Sequence, residues 1–294
     1  MKEHFPSRSP GPRLSAWIVF VMLAMVFVPA AITLNTVRSP AYIRMTSADP
    51  TPHGYTWSLL LFLIPIVVIA FGLLPREEIK IPRKAFWWTI GILVPVGFAT
   101  DFFFASRFFV FLNPGATLSE YWLAAYNQAD YRAESKKIDR LLQFHPTSMI
   151  VGIALVGAAI FYKKTLSPDH EGFPEYFTFL VAVGFVPAIA FFPIARRFIN
   201  WRAFSLTLFF ILLVSLLWEA TLAVPYQWWD YQPKQMLGLR IGAWSNLPIE
   251  AVCVWIAVTY ATAIVFEIIK LWQASEKPLK HALLGPKRLP AHRR

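Results

Sequence analysis

Seven apolar runs of near-bilayer length constrain this chain more than any other feature: 16–34, 55–74, 86–104, 148–162, 176–192, 204–224 and 248–271. A hydrocarbon core of about 30 Å takes about 20 mostly apolar residues per helix. Backbone groups in lipid must be paired within their own element, so these runs are expected as helices and not as buried strands. Internal prolines at Pro65, Pro95 and Pro187 should kink the helices without ending them. The expected fold is an all-α integral membrane protein with about seven transmembrane helices.

The first run also fits a secretory signal, because Lys2, Arg8 and Arg13 precede an apolar stretch ending near Pro29-Ala30-Ala31. Its length favours an uncleaved helix. Charge enters here: the net charge is +11, which in a water-soluble chain would suggest nucleic acid. These basic residues instead flank the apolar runs, which points to anionic lipid headgroups and argues against nucleic acid as a partner. Seven spans put 75–85, 163–175 and 225–247 on one side. They put 35–54, 105–147, 193–203 and the tail, with Lys277, Lys280, Lys287, Arg288, Arg293 and Arg294, on the other. The tail leans cytoplasmic, in a cell (plasma) membrane.

A single cysteine, Cys253, excludes an internal disulfide, and the six histidines include no pair at metal-ligand spacing. No metal is expected. There is no phosphate-binding loop, dinucleotide fingerprint or nucleophile elbow, so no cofactor is expected either. The segment 118–144 is charged and aromatic and reads as too polar to span; an interfacial amphipathic helix, a cap over a cavity mouth or a solvated connector would each fit it.

A shift of 118 residues superimposes Pro75 on Pro193, Ala85-Phe86 on Ala203-Phe204, and Asp101 on Glu219. Two three-helix modules, 55–162 and 163–271, follow an N-terminal segment 1–54 that carries an extra helix, and precede a basic tail 272–294. Three spans per module is odd, so an inverted repeat is expected, with a site between the halves.

An ionisable residue within a span is costly and is a functional candidate by default. Asp101, Glu219 and Glu250 qualify. The plainer readings are an interhelical hydrogen bond for Asp101 and Glu219, and dipole complementation for Glu250 in a first turn. At 100° per residue Cys253, Val254, Ala257 and Ala261 share the stripe of Glu250, a small-residue face suited to close helix packing. Trp218, Tyr226, Trp228, Trp229, Tyr231 and Trp244 crowd the preceding segment as interfacial anchors or, beside an inward acid, as ring faces for a cation.

Trp228-Trp229-Asp230-Tyr231-Gln232-Pro233, Leu237-Gly238 and Leu247-Pro248-Ile249-Glu250-Ala251, with Trp218-Glu219 before them, resemble the integral-membrane lycopene cyclase family in its fused two-module form. Asp101, Phe111-Leu112-Asn113-Pro114 and Thr117-Leu118 look like the counterparts in the first module. Where the family has two adjacent acids, this chain has Glu250-Ala251 in the second module and Pro146-Thr147-Ser148 in the first.

The resemblance implies proton-initiated closure of a terminal isoprenoid end into a ring, without a cofactor. Glu250, Glu219 and Asp101 would be the acids. Trp218, Tyr226, Trp228, Trp229, Asp230 and Asn113 would line the substrate or stabilise its cation. The implied partners are a hydrophobic polyene or isoprenoid substrate, the lipid bilayer, and a second copy or another pigment-pathway enzyme. A non-catalytic carotenoid- or lipid-binding protein is the alternative, and a transporter a more distant one.

Overall fold

The computed structural model describes residues 80–104, 113–124, 131–143, 146–225 and 231–286, with isolated helical positions at Phe20, Ala24, Phe27, Val28 and Ala31. The expected spans 16–34 and 55–74, and with them the count of seven, lie outside these residues. The described helices are α1 (Lys80–Phe104), α2 (Asn113–Ala124), α3 (Tyr131–Lys136), α4 (Pro146–Thr165), α5 (Glu175–Ala195), α6 (Trp201–Trp218), α7 (Ile249–Ser275) and α8 (Leu279–Leu284). A two-residue antiparallel ladder pairs β1 (Arg240–Ile241) with β2 (Leu247–Pro248). Helices α1, α4, α5, α6 and α7 are long and apolar enough to cross a membrane. This is a helical membrane protein, with five candidate spans among the described residues.

Local sequence explains the helix ends. The Asn200 side chain accepts the N–H of Ala203 and caps α6. Helix α7 starts after extended Pro248 and stops where Glu276 turns left-handed at φ 56°. Within α5 the residues Leu180–Phe185 form a π turn directly before Pro187, whose missing N–H an α turn could not use. A second π turn, Glu219–Ala223, continues α6.

Helix α7 is the hub, with α1, α2, α3, α5 and α6 packed around it. One buried cluster, at the hairpin end, joins Phe104, Tyr176, Trp218, Tyr231, Leu247, Ala251 and Trp255. The other, at the C-terminal end, joins Ala85, Phe86, Tyr121, Phe198, Phe204, Phe266 and Leu271. Helix α4 sits on the rim against α5, where a Cβ on Gly152 would meet Val186 Cγ2 at 3.0 Å. Its Ile150, Ile153 and Phe161 are exposed, as lipid-facing side chains are.

Two expectations are corrected. The segment 118–144 is not one surface element. Its first part belongs to α2, where Asn113, Thr117, Leu118, Ser119 and Tyr121 are all buried. Helix α2 runs from the hairpin end, where Ala116 packs, to the C-terminal end, where Tyr121 packs. Its described side chains are buried apart from half-buried Ala116, so that stretch needs no apolar surface toward lipid. The connection 105–147 therefore passes between the two ends of the bundle and is not a one-sided loop.

The expected inversion also fails between the two matched helices. Helix α1 begins beside the end of α7, with Trp88 5.7 Å from Trp272, and finishes with Phe104 on Tyr176. Helix α6 likewise runs from the C-terminal cluster to the hairpin cluster, so α1 and α6 point the same way. The start of α1 consequently shares an end with the tail, not with the 225–247 loop.

The C-terminal end is locked by a buried ion pair. Lys270 donates to Glu267 Oε1 at 2.9 Å and to the Tyr131 hydroxyl at 2.7 Å. Tyr131 donates to Glu267 Oε2 at 2.8 Å, and Tyr121 to Oε1 at 3.0 Å. The Tyr121 hydroxyl also accepts the Asn200 N–H at 2.9 Å. The ammonium lies 4.6 Å from the ring centres of both Tyr131 and Phe266. One network thus ties α2, α3 and α6 to α7. Glu267→Leu should destabilise the protein by about 3–5 kcal/mol, because it strands a buried ammonium. The double variant Glu267→Leu/Lys270→Leu should be less destabilised than Glu267→Leu alone, as read from thermal unfolding in detergent.

Candidate functional site

Three helices deliver one carboxylate each to the hairpin end. Asp101 stands one turn before the end of α1, Glu219 opens the π turn after α6, and Glu250 lies in the first turn of α7. Their exposures are 2%, 1% and 0%, so none reaches bulk water or lipid. No three described His, Cys, Asp or Glu side chains converge as metal ligands would.

Glu219 is held on both oxygens. The Trp255 indole N–H donates to Oε1 at 2.6 Å, and the Tyr231 hydroxyl donates to Oε2 at 3.0 Å. Tyr231 continues a column of rings: it stacks on Tyr176 at 6.4 Å, which stacks on Phe104 at 4.7 Å. Asp101 is close enough for its charge to act on Glu219, Tyr176 and Tyr231. Burial, followed by the charge of Glu219, pushes the Tyr231 phenol well above its ordinary range, so it remains a hydrogen-bond donor.

Glu250 differs. Its Oε1 accepts the backbone N–H of Leu237, while Oε2 has no hydrogen-bond partner among the described residues. The loop that brings Leu237 there depends on Gly238. Its φ of +89° suits glycine, and a side chain at that position would strike the Ser167 hydroxyl. The Ile249 N–H bonds the Leu239 carbonyl at 3.0 Å, closing the loop onto α7.

Behind this loop Lys163, fully buried at the end of α4, reaches Asp169 Oδ2 and the Pro233 carbonyl, both at 3.4 Å. The charges of Lys163 and Arg240 act on Glu250. The small-residue stripe of α7 meets α5, where a Cβ on Gly184 would touch Ala257 at 3.4 Å.

Of the residues singled out by sequence, Asp101, Glu219, Glu250, Trp218 and Asn113 are all buried. Trp218 belongs to the hairpin-end cluster. Asn113 heads α2, with its Oδ1 accepting the Thr117 hydroxyl at 2.9 Å. Tyr226, Trp228, Trp229 and Asp230 lie outside the described residues.

Sequence reasoning missed Trp255, Tyr176 and Phe104. A tryptophan inside an apolar run needs an acceptor for its N–H, a signal that would have tied Trp255 to one of the acids. It also missed Glu267 as an acid within a run, although Lys270 three residues on marks a paired charge.

No family model, no curated protein and no solved structure matches this chain.

Two outcomes test this geometry. Tyr231→Phe leaves one oxygen of a buried acid without its donor and should cost about 1.5–3 kcal/mol in unfolding free energy if Glu219 is ionised. Asp169 gives a pH signature. Burial raises its carboxyl, but the Lys163 hydrogen bond and charge, the Glu171 N–H and Arg240 outweigh that and hold it below its ordinary 3.8. A carboxylate depressed in the folded state stabilises above its unfolded pKa, and that contribution is lost as pH falls through the folded value. Proteolysis of the 166–174 loop should therefore rise on acidification below pH 3.8, and in Asp169→Asn it should already be raised at neutral pH.

Proposed function

We propose that this protein is a membrane carotenoid cyclase-like enzyme that closes a terminal isoprenoid end by proton transfer, without a cofactor. One observation carries the reading. Three carboxyl side chains, those of Asp101, Glu219 and Glu250, are buried at one end of an apolar bundle, beside aromatic rings. A carboxyl group in such surroundings is a poorly solvated acid, able to give a proton to an alkene carbon. The new C–H bond leaves a tertiary cation. Attack by the next double bond closes the ring, and loss of a proton from a ring carbon to a carboxylate ends the reaction with no net change in protons.

Glu250 is the donor in this reading, since one of its oxygens is uncommitted among the described residues. Lys163 and Arg240 set the field around it, and Glu219, clamped by Trp255 and Tyr231, and Asp101 are its partner acids. Tyr176, Tyr231, Trp255 and Trp218 flank the cation in this reading, and Asn113 lines the approach. Tyr226, Trp228, Trp229 and Asp230, which lie outside the described residues, would join them.

The expected seven helices enter the same proposal in modified form. Spans 16–34 and 55–74 would complete the count, and the modules would be 55–162 and 163–271, without the inversion between α1 and α6. The setting is the cell membrane with a cytoplasmic C-terminus, and a second copy or another pigment-pathway enzyme is the protein partner.

A second reading has its own support. Glu219 makes two short hydrogen bonds, as a structural anchor does, which favours a polyene- or lipid-binding protein that performs no chemistry. Expression in a lycopene-accumulating host separates the two. The enzyme yields ring-bearing pigment, and Glu250→Gln lowers that yield by about 100-fold or more, the usual scale of a general acid. Copurification of unaltered lycopene with no cyclised product would establish the binding protein instead.

A further inference from the structure

The two ends of the bundle differ in how they use positive charge. At the hairpin end each described cation is engaged within the protein. Lys163 faces Asp169, Lys234 pairs with Glu171 at 3.1 Å, Lys164 bonds the carbonyls of His170 and Gly172, and Arg240 contacts the Asn246 carbonyl. The C-terminal end exposes a larger set, Lys84, Arg132, Arg140, Arg196, Arg202 and Lys280, supplied by α1, α3 and the turn after it, the α5–α6 turn, α6 and α8, beside Lys137, which pairs with Glu134. Chain order scatters these residues over 200 positions, and folding gathers them on one face.

The same face carries side chains suited to the boundary between water and hydrocarbon. Trp87, Trp88 and Trp201 are exposed there, and α8 exposes Leu279 and Leu284 while it buries Ala282. Backbone hydrogen bonds from Leu141 to Ala282 and from Leu142 to Leu283 pin α8 against the bundle.

Helix α7 measures the depth. Glu250 and Glu267 are 17 residues apart on one continuous helix, about 25 Å at 1.5 Å per residue. That is close to the hydrocarbon thickness of about 30 Å. The two buried acid clusters therefore belong to opposite leaflets.

We propose that the C-terminal end is a platform for the anionic headgroups of the cytoplasmic leaflet, and that the Asp101–Glu219–Glu250 site consequently sits in the opposite leaflet and takes its apolar ligand from there. Only the identity of that ligand as a polyene rests on the cyclase reading. Exposed cations near a membrane are drawn to acidic lipids and fix the cytoplasmic side of flanking segments. The hairpin end exposes Lys164, Lys234 and Arg240 among its described cations, with Glu171 beside Lys234, and presents less to hold it there.

Single cysteines test the placement, since Cys253 is the one native cysteine and lies within α7. In intact cells a membrane-impermeant maleimide should label Gln232→Cys, at the hairpin end, and should leave Lys280→Cys at the level of the parent protein until the cells are lysed. The reverse pattern, or equal labelling of both before lysis, overturns the proposal. The headgroup platform has its own measurement. The unfolding midpoint of the full chain should be higher in bilayers containing phosphatidylglycerol than in phosphatidylcholine alone. That difference should shrink in high salt and in Arg196→Gln/Arg202→Gln. Equal midpoints in the two lipids would remove the platform. Neither readout involves pigment, so failure of cyclisation with the expected labelling would strike the enzyme reading and leave the placement standing.

Discussion

Ionisable side chains inside an apolar bundle must find partners within the protein, and that requirement organises this structure around one helix. Helix α7 carries Glu250 at its start and Glu267 and Lys270 near its end. Each draws other elements to it: the 231–248 loop through Leu237, and α2, α3 and α6 through Tyr121, Tyr131 and Asn200. Apolar contact alone gives helices in lipid little reason to choose one neighbour over another, because lipid tails are as apolar as leucine. The polar contacts supply that choice.

The two ends solve the same electrostatic problem differently. At the C-terminal end Glu267 is neutralised by Lys270 and bonded by two phenols, a satisfied arrangement with no evident chemical capacity. At the hairpin end Glu219 is bonded by an indole and a phenol and Glu250 by a backbone N–H, with no ammonium among the described residues bonded to either, and Lys163 stands behind a loop. The imbalance makes the hairpin end the reactive candidate and the other end the fastener. Positive φ is used at both ends, by Gly238, Ser245 and Asn246 around the hairpin and by Glu276 and Gly285 at the other end.

Much of this was legible in the sequence. Asp101, Glu219 and Glu250 stand out because acids are rare in apolar text, and the structure buries all three. The Leu237-Gly238 pair also has a physical meaning: one residue donates the N–H to Glu250, and the other permits the turn that aims it. Helix α2 was misread because hydropathy averages a segment's side chains and cannot see that Asn113, Thr117 and Ser119 face protein. The relative direction of the modules was misread for the same reason, since a hidden crossing changes the parity of every element after it. Trp255 and Tyr176 escaped because their importance lies in which acid or ring they meet across the bundle, which no local pattern encodes.

The π turn at Glu219–Ala223 carries a consequence for ancestry. Such a turn holds one residue more than its α-helical equivalent and rotates everything beyond it by about 100°. The buried face of α6 passes through Thr207 and Ile211 and reaches the π turn at a carboxylate. Glu219 opens the turn and already lies on the buried face marked by Thr207, Ile211 and Ser215, so a single codon inserted or deleted within the turn would re-aim the chain that follows, which brings Tyr231 back to Glu219. The acid's bond to Tyr231 can thus be lost or regained in one genetic step while the bundle around it stays the same.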